Sequence, residues 1–121
     1  MILASSNKLK NLLQIRYIDT VKVGDIANNR AELAALHAEL GPGFRLLADF
    51  SALDKMHTDC AAEMGEVMEQ LDQAGVSAIV RVIPDPQKDI GMNILSLFHY
   101  KNRPRTAACS TISEAVKELS L

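Results

Sequence analysis

The sequence predicts an α/β fold: a four- to five-stranded mixed sheet with helices packed on it, in the order β-β-α-β-α-β-α-β-α. Three observations predict it. Short apolar runs alternate with longer stretches whose apolar residues recur at helical spacing. Two of the runs, Phe44 to Phe50 and Ser77 to Ile83, show little polar alternation, as strands covered on both faces do. Glycine, proline and capping residues punctuate the boundaries.

Met1 to Lys10 is polar at its centre and predicts a loose segment or an edge element. From Leu12, the residues Leu13, Ile15 and Tyr17 alternate with Gln14 and Arg16, the period of a half-exposed strand. Asp19-Thr20 interrupts it, and Val21 to Val23 predicts a second strand forming a hairpin with the first. Asn29-x-x-Glu32 predicts a capped helix start, with Leu33, Leu36 and Leu40 as its stripe and Gly41-Pro42-Gly43 as its stop. His37 falls beside the stripe and reads as a boundary residue.

The strand Phe44 to Phe50 is followed by a long loop to Thr58. Cys60, Met64, Val67, Met68 and Leu71 then share one helical arc, with Gly75 after it. Ser77 to Ile83 is the next strand. Asp85-Pro86 opens a third helix reaching about Phe98, and Thr106 to Cys109 is a short strand. Thr111-x-x-Glu114 caps a last helix with Ile112, Ala115, Val116 and Leu119 facing inward.

Composition bounds the function. The 121 residues suit a single domain, 48% hydrophobic and 23% charged. A net charge of -2 opposes a general nucleic-acid binder. No apolar run approaches the ~20 residues of a membrane span. The start MILASSNKLK lacks a secretory apolar region, and two cysteines lack CxxC spacing, so a reducing cytoplasmic location is expected.

The centre of the chain is Leu46-Leu47-Ala48-Asp49, a polar loop, then Thr58-Asp59-Cys60-Ala61-Ala62 opening a helix. With the element order, this resembles the STAS domain of anti-sigma-factor antagonists, and more closely its SpoIIAA-like relatives, from Leu12 onward. In the antagonists the corresponding place reads Asp-Ser-Ser/Thr-Gly, and a partner kinase phosphorylates a hydroxyl there. Here Asp59 matches, while Cys60-Ala61-Ala62 replaces the hydroxyls and the glycine. The resemblance therefore implies the fold without the phospho-switch. It also implies a small cytosolic domain, sometimes dimeric, with some likeness to lipid-binding CRAL-TRIO domains.

His57, Asp59, Cys60 and Glu63 bring metal-ligating residue types together. The helical period turns Cys60 into the Met64–Leu71 face and Glu63 away from it, so Cys60 is expected in the core, with Thr58 or Asp59 as cap, and no metal or cofactor site is expected. Asp49, Ser51, Asp54 and His57 gather beyond a central strand end, where α/β sheets bind ligands. With Thr58 and Asp59 they form the candidate binding loop and helix start. No nucleophile elbow accompanies Ser51, nor is there a phosphate-binding glycine pattern. No catalytic residue is assigned. An enzyme using His57 with Asp49 or Asp59 ranks last.

The third helix carries the remaining signal. Ile90, Ile94, Leu95, Leu97 and Phe98 span about 160° at 100° per residue, wider than one buried stripe needs. The sheet is expected to cover Ile90, Ile94 and Leu97. That leaves Met92, Leu95 and Phe98, with Tyr100, Lys101 and Arg103 beside them, as an interface or lid. The first expectation is thus a non-enzymatic interaction domain that binds a second copy of itself or another protein. The alternative is a carrier of a small apolar ligand, with the basic loop contacting a membrane surface.

Overall fold

The computed structural model describes residues 1–121. The chain opens on a hairpin: β1 (Ile2–Asn7) pairs antiparallel with β2 (Leu12–Tyr17). Its turn is closed by Asn7 Oδ1 accepting from the Lys10 N–H, and Asn11 takes the left-handed conformation that asparagine tolerates. The polar first segment is therefore an ordered edge strand. Its residues alternate between half-buried Ile2, Ala4 and Ser6 and exposed neighbours.

The second strand departs from expectation. It is β3 (Asp19–Val21), and it does not pair with β2. Asp19, at φ 57°, swings the chain out of the main sheet. β3 instead pairs parallel with β5 (Leu53–Met56), a strand inside what reads as a long loop. The first helix also starts earlier than Asn29. α1 runs Val23–Leu40, and Asp25 Oδ2 accepts from the Lys22 N–H at 2.9 Å to secure its start. Asn29 is a buried mid-helix residue whose amide donates to Glu32. Val23 and Gly24 are poor helix formers, which hid the first turn and a half. At the end of α1, Gly41 at φ 75° turns the chain, as expected.

β4 (Arg45–Asp49), β6 (Ala78–Val82) and β7 (Arg105–Cys109) add to β2 in parallel, giving the sheet order β1-β2-β4-β6-β7. The two central strands are buried along almost their whole length. Leu13, Ile15, Leu46, Ala48 and Ile79 face one side, under α1, α2 (Cys60–Gln73) and α3 (Asp89–His99). Leu12, Leu47, Val80 and Val82 face the other, under α4 (Ile112–Glu118). Of the expected inward residues of α4, Ala115 and Leu119 are buried; Val116 is half-buried and Ile112 exposed. No helix is long and apolar enough to cross a membrane.

Candidate functional site

The carboxyl ends of β4 and β6 open into a cavity of about 1050 Å³. Three pieces of chain line this cleft, which is open to solvent along one side: the β4–α2 segment with β5, the start of α2, and the Pro84–Leu95 stretch that ends in α3. A 3-10 turn at Pro86–Lys88 leads into α3; Asp85 Oδ1 accepts from the Gln87 N–H, so the Asp-Pro start caps that turn rather than the α-helix itself. Phe50, Leu53, Met56, Met64, Ile83, Met92 and Leu95 supply apolar walls, with half-exposed Ile94 at the rim. Asp54, Lys55, His57, Asp85 and Lys88 bring charged or titratable groups to the lining. Its position is the one where open α/β sheets bind ligands, and its size is that of small-molecule sites.

Of the predicted binding loop, Ser51, Asp54, His57 and Thr58 line this cavity. Asp49 does not join them. Strand alternation points it to the α4 side of the sheet, where Arg16 Nε lies 3.6 Å from Oδ2 and Oδ1 accepts from the Ser51 N–H. Asp59 precedes α2 without capping it, and Thr58 does not cap it by side chain either; the backbone carbonyls of His57 and Thr58 accept from Cys60 and Ala61. Cys60 is 1% exposed, its Sγ 3.6 Å from the Val21 carbonyl. Burial, then the charge of Asp59, pushes its thiol up. His, Cys, Asp and Glu side chains nowhere converge in a group of three able to hold a metal.

α3 is rotated relative to the sequence expectation. Met92 and Leu95 pack toward the core, while Ile90, Ile94, Leu97 and Phe98 are 50–76% exposed. Three contacts fix the rotation. Asp89, the first residue of α3, pairs with buried Arg81 of β6 (Nε to Oδ1 2.8 Å). His99, at the other end, lies against Gly65 of α2, so close that a side chain there would meet its ring at 2.6 Å. Tyr100 is buried just beyond. These anchors lie on the Met92–Leu95 side, so the outer apolar arc of about 100° is left to solvent. Within the predicted interface, Tyr100 is therefore core rather than surface. Lys101 lies 3.7 Å from Glu69, and Arg103 sits exposed at φ 51° in a loop held by Asp72 accepting twice from Asn102.

Sequence reasoning missed Arg81 and its partner. The signal was present: an arginine inside the interior run AIVRV must find a counter-charge.

No family model matches the sequence, and no curated protein matches it. Solved structures do. A Shewanella loihica protein described as having a SpoIIAA-like fold superposes with a TM-score of 0.72 at 12% identity, covering 98% of this chain and 93% of its own. The anti-sigma factor antagonist SpoIIAA, in its unphosphorylated form, gives 0.66 at 14% identity, covering 99% and 98%. The fold is SpoIIAA-like. In this chain the α2 start that carries Cys60-Ala61-Ala62 forms the lip of the cavity, with Ala61 on its lining.

Proposed function

We propose that this chain is a non-enzymatic STAS-like interaction domain without a phospho-switch, and that it works by holding a small, largely apolar molecule beneath α3. The cavity supports this reading most. It is roomy, half of its lining is apolar, and its charged residues balance, Asp54 and Asp85 against Lys55 and Lys88. Asp49, one of the two carboxylates an enzyme would offer His57, is turned away and engaged by Arg16. Alanine at position 61 offers no hydroxyl to a kinase.

Native mass spectrometry of protein purified from its host is expected to show a co-purifying organic species released on denaturation. A chain that is ligand-free, and that does not enhance the fluorescence of an added apolar dye, would overturn the ligand reading.

A second reading rests on a different observation, the exposed face Ile90, Ile94, Leu97 and Phe98. A contiguous apolar group of this kind marks a contact surface, and a second copy of the chain is its commonest cover. Leu97→Glu is expected to keep native stability, because Leu97 is 76% exposed, and to abolish self-association in sedimentation runs at high micromolar concentration. A wild type that is already monomeric there rules out the dimer. Flotation with anionic liposomes then tests the membrane as the cover.

A further inference from the structure

We infer that Arg81 is a deep anchor for the head group of the molecule held beneath α3, and that this molecule is a monocarboxylate with an apolar chain. The inference rests on the ligand reading of the cavity.

Arg81 is the fourth of the five residues of β6, 4% exposed, on the side that faces α2 and α3. A guanidinium carries five N–H donors and cannot shed its charge. Asp89 takes Nε at 2.8 Å and Nη2 at 3.4 Å. Nη1 is buried and has no partner. A buried donor left unmade is costly, and more so on a charged group.

Arg81 lines a second, narrow cavity of about 20 Å³, enough space for one water-sized group. Tyr17 and Tyr100 line it too. Burial pushes both phenols above the usual tyrosine range, so each stays a neutral hydroxyl able to donate. Tyr17, Arg81 and Tyr100 share the lining of this one cavity. The other ten lining residues are apolar, so Arg81 and the two phenols carry the donors of this cavity, and the guest that suits them is an oxygen acceptor.

The narrow cavity adjoins the large one. Phe50, Met64 and Met92 line both. Methionine is unbranched and shifts readily between rotamers, so movement of Met92 joins the two spaces. A chain lying in the large cavity then puts its end against Nη1.

Size and charge select the head group. A carboxylate is planar and matches a guanidinium edge. Asp89 takes Nε and Nη2 but leaves Nη1 free, so a singly charged head group meets an unused charged donor there. A doubly charged phosphate monoester would bury one charge more, at a steep desolvation cost.

The test is calorimetric titration of dodecanoate and dodecan-1-ol into the wild-type chain and into Arg81→Met, Tyr17→Phe and Tyr100→Phe. Dodecanoate is expected to bind at least about tenfold more tightly than the alcohol. Arg81→Met should remove that preference, read as the ratio of the two affinities in the same protein, and each tyrosine variant should reduce it several-fold. If neither probe binds, the ligand reading itself fails. If both bind equally to wild type, or the preference survives in Arg81→Met, the ligand reading stands and the anchor is wrong: the narrow cavity holds only water. Should Arg81→Met not fold, the tyrosine variants decide, and an unchanged preference in both overturns the anchor.

Discussion

Asp89→Ala is expected to lower the stability of the chain by about 3 kcal/mol, near the lower end of what breaking a buried ion pair costs. The side chain of Arg81 is 4% exposed and cannot reach bulk water when its partner is removed, whereas that of Asp89 is 18% exposed, which moderates the loss. The same change frees the first turn of α3 from the sheet and opens the cavity beneath it. The double variant Arg81→Met/Asp89→Ala removes charge and counter-charge together and should recover most of the loss. Urea denaturation of the three proteins checks this. A single-variant loss below about 1 kcal/mol would mean that Arg81 finds water or another acceptor and that the pair does not hold α3.

Cys60→Asp is expected to cost about 4 kcal/mol, against about 1 for Cys60→Ala. Alanine leaves only a small void. Aspartate puts a carboxylate in the core beneath α2, where the negative charges of Asp59 and Asp25 already act on this position. Burial and those neighbours raise its folded pKa above the unfolded value, so the deficit is complete above the folded pKa. It shrinks, relative to wild type, as pH falls toward about 4. In the native wild type, Cys109 is half-buried and should react with a thiol reagent first, with Cys60 following only as the chain opens. Reaction of Cys60 at the rate of a free peptide thiol would refute its burial.

Much of this molecule was legible residue by residue. Phe44 to Phe50 and Ser77 to Ile83 showed themselves as interior strands because burial on both faces leaves no polar alternation to be seen. The stripe Cys60, Met64, Val67, Met68, Leu71 is buried as its spacing required. Four of the six predicted loop residues, Ser51, Asp54, His57 and Thr58, line the cavity, because their place after a central strand already located the crevice. Asp49 was misassigned through the same strand's pleat: even as the last strand residue it points to the opposite face.

The composition of each segment settled which became strand and which became helix, since periodicity is a local property of the chain. Where those segments met was settled only by long-range contacts. β3 left its sequence neighbour for β5, thirty-odd residues away, because Asp19 turns the backbone out of the main sheet and the pairing groups of β5 are waiting there. α3 has apolar residues nearly all round, so its sequence fits more than one rotation about the helix axis. The choice fell to Arg81, Gly65 and the pocket that takes Tyr100, none of which belongs to the helix. They turn Met92 and Leu95 inward over the cavity and leave Ile90, Ile94, Leu97 and Phe98 outside, since a buried charge needs its counter-charge more than any one apolar side chain needs cover.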